Sequence, residues 1–149
     1  MRAVVQRVQN AHVESEGTES GRIGSGLAVL LGVECGDTEK DAAYMAAKIL
    51  KLRVFDDADG KMNLSVRDVG GEVLCVSQFT LLGDARGQNR PAYIRAERPE
   101  RADELYEQVC ALMRGEGVRV EQGVFRTHML LSLVNDGPVT ILLDSRRNF

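Results

Sequence analysis

Leu27-Ala28-Val29-Leu30-Leu31-Gly32-Val33 is a nearly unbroken apolar run with glycines at its borders. It has strand length, and apolarity without alternation marks a strand buried on both faces. Glu72 to Ser77 repeats the pattern, with Gln78 to Leu82 either continuing the strand or leaving it. Between them, Asp37 or Thr38 caps a helix running to about Leu52, whose apolar stripe is Ala42, Met45, Ala46, Ile49 and Leu50. Upstream lie strands at Ala3 to Val8 and Ala11 to Ser15, and the polar stretch Gly17 to Gly21 suggests a hairpin. Downstream, Pro99 opens a second helix whose face is Ala102, Leu105, Tyr106, Val109 and Met113, ending at Gly115. Three strands close the chain: Val118 to Gln122, Met129 to Val134 and Val139 to Asp144. Not every pair of strands is separated by a helix, so a doubly wound sheet is disfavoured. The expected fold is α/β, one domain over residues 1–149, with a mixed sheet partly curled into a barrel and two helices packed on it.

A chain of 149 residues buries enough surface for a full core without disulfide staples. The net charge of −3 argues against a grip on a long stretch of nucleic acid, so any RNA contact should be local. With no Trp and 5% aromatic residues, base-stacking platforms are not expected. Cys75 and Cys110 sit among apolar residues as small buried thiols, whereas Cys35 lies in a turn. The N-terminus lacks the apolar core of a signal peptide, and no apolar run reaches membrane-spanning length, so the expected compartment is the cytoplasm.

The usual catalytic equipment is missing. His12 and His128 have no Cys or carboxylate at metal-ligand spacing, so neither a metal nor a cofactor is expected. Asp56-Asp57-Ala58-Asp59-Gly60 has the acids of a calcium loop, but lacks the distal Glu and places its glycine one position early, so it is read as a turn. Ser77 and Thr80 are candidate nucleophiles, yet a hydroxyl needs an adjacent base, and only His12 or His128 can supply one through the fold. Asn135-Asp136-Gly137-Pro138 has the residue types of a hairpin turn between two apolar strands. Asn-Gly alone would suffice there, which raises the prospect of a specialised backbone shape.

Ser77-Gln78-Phe79-Thr80-Leu81 and Asn135-Asp136-Gly137-Pro138-Val139-Thr140 resemble the two signature motifs of the D-aminoacyl-tRNA deacylases, at that family's spacing. Gln6-Arg7-Val8, Gly32-Val33-Glu34, Lys61-Met62-Asn63-Leu64 and Asn89-Arg90-Pro91 extend the likeness over nearly the whole chain. The resemblance implies hydrolysis of the ester joining a D-amino acid, or glycine mischarged on tRNA(Ala), to the 3′ end of tRNA. It also implies a homodimer whose active site lies at the subunit interface, with a cis Gly137-Pro138 segment inserted into the partner's site and braced by Arg7. An aminoacyl ester is already activated and its vicinal ribose hydroxyl can help move protons, so the missing base is no obstacle; orientation and oxyanion stabilisation suffice. In that picture the backbone N–H of Phe79, joined by that of Thr80, holds the oxyanion, and Ser77 and Gln78 position the ester. Thr80 as covalent nucleophile ranks second. Backbone carbonyls of Gly137-Pro138 would fill the volume an L side chain needs, which excludes L-aminoacyl esters but admits glycine.

One stretch departs from the family pattern. After Gly123-Val124-Phe125 the family usually carries small residues, whereas Arg126-Thr127-His128 stand here and alter the adjoining pocket. Two other functions compete. A non-catalytic nucleic-acid-binding member of the same fold would use Arg86, Arg90, Arg95, Arg98 and Arg101 in and just after the long loop Gly83 to Arg98. A hydrolase of small esters would need His12 or His128 within reach of Ser77 or Thr80.

Overall fold

A computed structural model describes all residues, Met1–Phe149. The apolar run forms β3 (Gly26–Gly32), flanked antiparallel by β1 (Arg2–Ser15) and parallel by β6 (Glu72–Ser77). Short β7 (Val120–Gln122) continues the parallel side, starting two residues later than expected, while β2 (Thr18–Ile23) and β8 (Met129–Asp144) pair antiparallel with β1. The sheet is therefore mixed, and its curl brings β2 back against β7. At Gly21 an added Cβ would lie 2.8 Å from the carbonyl oxygen of Gln122, so only glycine lets these strands approach and nearly close the barrel.

The β1–β2 hairpin turns at Glu16-Gly17, both with positive φ (51° and 81°), the geometry of a tight two-residue turn. The reversal thus stands at the head of the polar stretch, and Thr18 to Gly21 already pairs with β1. Upstream, what reads as two strands is the single β1. Its buried positions are Ala3 and Val5, then Val8, then Ala11, Val13 and Ser15, so the alternation changes phase twice. Irregular pairing with β8 around Arg7 and Gln9 absorbs each change.

The larger correction concerns the C-terminal half. Met129 to Val134 and Val139 to Asp144 belong to one strand, β8, and Asn135-Asp136-Gly137-Pro138 does not reverse the chain. Strand β1 offers one continuous edge to both halves, pairing Gln6 with Thr140 and Val8 with Asn135. Over that step β8 advances five residues and β1 two, so three residues of β8 bulge out of the ladder.

Helix α1 (Glu39–Lys51) is capped by Thr38, whose hydroxyl accepts from Lys40 N, while Asp41 accepts from Thr38 N to complete a capping box. Asp37, the other capping candidate, is instead buried against the N-terminal ammonium at 2.6 Å. Helix α2 (Pro99–Gly115) starts with proline at its first position. Both helices pack on one face of the sheet over Val5, Leu27, Val29, Leu31 and Val73. A smaller cluster of Val8, Ala11, Val13, Ile23, Leu74 and Val76 occupies the opposite face, under Met129, Leu131 and Leu133 of β8. Strand β3 is thus covered on both sides. The two-stranded ribbon of β4 (Phe55–Asp56) and β5 (Met62–Leu64) links α1 to β6. Its turn is built on Asp57, which accepts from the backbone of Asp59 and Lys61 and from the Asn63 amide.

Candidate active site

Strand β6 ends at Ser77 opposite Leu31, and Gln78 N still donates to the Leu31 carbonyl at 2.8 Å. There the chain leaves the sheet and winds into a single 3-10 turn, Phe79–Leu82. Its first bonds are donated by Leu81 N to Gln78 O and by Gly83 N to Thr80 O. The N–H groups of Phe79 and Thr80 precede those bonds, as the opening donors of any helical turn do. The Gln78 side-chain amide donates to the Thr80 hydroxyl at 3.0 Å. Phe79 is 57% exposed and meets Tyr93 of the long loop edge-to-face at 5.1 Å.

Ser77, Gln78, Phe79 and Thr80 line one cavity of about 480 Å³. Its other walls include Val33, Glu97 and Ala102, and Phe125, Arg126, Thr127 and Met129 before and at the start of β8. Neither histidine lines it: His12 sits mid-strand opposite Ser132, and His128 is exposed. The histidine-assisted hydrolase of small esters therefore lacks its base. Glu97 carries the cavity's one carboxylate, and its two oxygens accept from the N–H groups of Gly36 and Arg98. Of the departing stretch Arg126-Thr127-His128, the first two residues line the cavity, whereas nothing local singles out Glu97. Its neighbour Arg95 ties the loop to Glu34, and Cys35 N donates to the Arg95 carbonyl.

The second motif lies elsewhere. Gly137-Pro138 is a cis peptide and both residues are exposed. Arg7 Nε donates to the Asp136 carbonyl at 2.9 Å and its Nη1 to the Val54 carbonyl at 2.7 Å, with the Asp56 and Asp136 carboxylates at 3.6 and 3.7 Å. Arg7 pairs with Leu27, whereas Ser77 pairs with Leu31, four residues along β3 or about 13 Å at the usual strand rise. Gly137-Pro138 is displaced further, onto β8 on the other edge of β1. Arg7 and Asp136 line a separate cavity of about 910 Å³, where Arg67 pairs with Glu116, and Arg119 with Glu72. Within one chain the two motifs do not meet.

The other chemical candidates are structural. Cys75 and Cys110 are fully buried, and the Cys110 thiol beside it together with burial pushes the Cys75 thiol well up, away from a thiolate. Cys35 is exposed. No group of three or more His, Cys, Asp or Glu side chains is arranged to hold a metal ion. No helix is long and apolar enough to cross a membrane.

The family profile described as D-Tyr-tRNA(Tyr) deacylase matches residues 4–144. The chain belongs to the D-Tyr-tRNA(Tyr) deacylase family. It is accordingly an enzyme, a hydrolase of the D-aminoacyl-tRNA deacylase class. A D-aminoacyl-tRNA deacylase of Anaeromyxobacter dehalogenans is 60% identical over all 149 residues, covering both chains completely. Among solved structures, a c-Myc DNA Unwinding Element Binding Protein superposes with a TM-score of 0.90 at 42% identity, over 97% of this chain and 98% of that one. A probable eukaryotic D-amino acid tRNA deacylase shares the fold at a TM-score of 0.82 and 17% identity, over 95% of this chain and 97% of that one. The deacylase fold thus carries the nearly closed mixed sheet and two helices expected from the sequence.

Proposed function

We propose that the site works across two copies of the chain: the cavity at Ser77–Thr80 of one protomer receives the Gly137-Pro138 segment of its partner. The observation that carries this reading is the separation of the two motifs within a single chain, with Phe79 and Thr80 of one and Gly137 and Pro138 of the other exposed. Strand β8 supports it, since its one paired edge lies against β1 and its outward side chains include exposed Leu130, Val134 and Leu142. In the composite site the N–H groups of Phe79 and Thr80 stabilise the oxyanion formed as water attacks the ester. Ser77 and Gln78 orient the ester and ribose. The hydroxyl of Thr80, held by Gln78 in a cavity without a histidine and whose one carboxylate, Glu97, already accepts from two backbone N–H groups, is a positioning group and not a nucleophile. Arg7 fixes the Asp136–Pro138 backbone so that it fills the space an L side chain would occupy, while D-amino acids and glycine enter. The substrates are the 3′ ends of D-aminoacyl-tRNA and of glycyl-tRNA mischarged on tRNA(Ala), met in the cytoplasm where translation uses them.

Hydrolysis of matched D- and L-tyrosyl-tRNA by the parent and Thr80→Ala tests the reading. D-selective cleavage that largely survives the substitution is expected. Equal rates on the two enantiomers would sink the stereochemical filter, and near-complete loss in Thr80→Ala would support covalent catalysis. The non-catalytic, nucleic-acid-binding alternative draws on the likeness to the DNA unwinding element binding protein. Of its five arginines, Arg86, Arg95 and Arg101 are paired with Asp84, Glu34 and Glu39, which leaves Arg90 and Arg98 for a phosphate chain. RNA retention without ester cleavage would favour it.

A further inference from the structure

Between Phe125 and β8 the chain makes a tight turn in which Thr127 N and Thr127 Oγ1 both donate to the Val124 carbonyl, at 3.3 and 2.8 Å. Ser15 Oγ donates to Thr127 Oγ1 at 2.6 Å and ties the turn to the end of β1. Held this way, Arg126 has a φ of 62°, in the left-handed region that glycine occupies freely and that costs a residue with a Cβ about 1–2 kcal/mol. Glycine is therefore the residue the backbone asks for. Arginine stands there instead, within the stretch that departs from the family pattern.

The arginine also has an unusual electrostatic position. It is the one basic side chain lining the Ser77–Thr80 cavity. None of the chain's ion pairs uses it. The neighbouring Glu97 carboxylate is occupied by two backbone N–H groups from outside the cavity. A protein of net charge −3 thus presents one exposed guanidinium without an ion-pair partner in the lining of the cavity that handles the ester. A planar fork of N–H donors suits a phosphate oxygen pair. On an aminoacylated RNA end the nearest anion is the phosphodiester joining the esterified nucleoside to the one before it.

We infer that Arg126 binds this terminal phosphodiester and so positions the RNA end in the cavity. The inference rests on the deacylase site proposed above. It makes Arg126 a substrate-positioning residue whose contribution appears in binding and not in the chemical step.

The test compares the parent, Arg126→Gly and Arg126→Lys on D-tyrosyl-tRNA and on D-tyrosyl-adenosine, which has the same ester and no phosphate. Glycine suits the local φ, so Arg126→Gly should melt no lower than the parent, which separates a binding defect from misfolding. On the tRNA, Arg126→Gly should raise KM about tenfold, as loss of a charged hydrogen-bonded contact does, with kcat within about twofold. The dependence of log(kcat/KM) on log salt should flatten by about 0.7, the contribution of one single-stranded phosphate contact. Arg126→Lys should recover part of both effects, and all three proteins should cleave the adenosine ester alike. An unchanged KM and salt slope on tRNA overturns the inference, as does an equal loss on both substrates or a changed oligomeric state in Arg126→Gly. A parent inactive on D-tyrosyl-tRNA removes the underlying deacylase site as well, and so marks the failure of that reading separately.

Discussion

At the scale of single residues, the proposed chemistry rests on backbone N–H groups, atoms that side-chain substitution does not touch. If the Phe79 N–H holds the oxyanion, replacing the Phe79 side chain is a lesser perturbation than deleting its donor. Proline performs that deletion with little collateral damage. Phe79 is the first residue of the 3-10 turn, where an N–H has no internal partner, and Gln78 before it already has extended backbone (φ −146°, ψ 92°) compatible with a following proline. Phe79→Pro should therefore lower kcat on D-tyrosyl-tRNA by about 10²–10³-fold, the usual worth of one oxyanion-hole donor. Phe79→Leu, which keeps the N–H but loses the edge-to-face contact with Tyr93, should stay within about tenfold of the parent. Single-turnover kinetics on the folded variants measures both, and comparable losses in the two would assign the role to the ring.

At the scale of elements, the start of α1 shows charge and fold coupled. Burial pushes the Asp41 carboxyl up, but the Thr38 N–H, the Ser145 and Thr38 hydroxyls and the nearby N-terminal ammonium outweigh it, leaving it below the ordinary range. A value lowered in the folded state means that the ionised form is stabilised by folding. That contribution is present in full above the unfolded value, about 4, and is lost as pH falls through the folded one. Asp41→Asn should thus lower the melting temperature at pH 7, with the gap to the parent narrowing below about pH 4; melts across that range measure it, and a constant gap would refute the linkage. This helix was legible because Thr38 and the Ala42–Leu50 stripe are local signals. The buried β3 and β6 were legible for the same reason. Strands β1 and β8 each read as two strands, because Gln9-Asn10 and Asn135-Asp136-Gly137-Pro138 interrupt their apolar patterns, and only the pairing of these strands with each other carries the ladder past both interruptions. The site was half legible in the same sense: Ser77 to Leu81 is one local segment running from the end of β6 into the 3-10 turn, while Glu97 reaches the cavity only through the course of a long loop.

At the scale of the molecule, the question is whether one chain or two make the site. In a symmetric dimer each of two equivalent cavities would take Ser77–Thr80 from one copy and Gly137-Pro138 from the other. Two variants, each damaged in one motif, then behave differently apart and together. Phe79→Pro removes the donor. Gly137→Val places a side chain where φ is +137° and the added Cβ would lie 2.8 Å from Val139 Cγ2 and 2.9 Å from Val139 N, which forces the segment to move. Each homodimer carries its defect in both sites and should be nearly inactive. A heterodimer of the two has one site with both defects and one with neither. Refolding an equal mixture gives half heterodimers by random pairing, so D-tyrosyl-tRNA cleavage should return to about a quarter of the parent rate. A site built within one chain has no intact copy in any of these dimers, and mixing would restore nothing. The measurement therefore needs heterodimer formation verified by mass, since restored activity reports a composite site and its absence in a confirmed heterodimer reports a site contained in each chain.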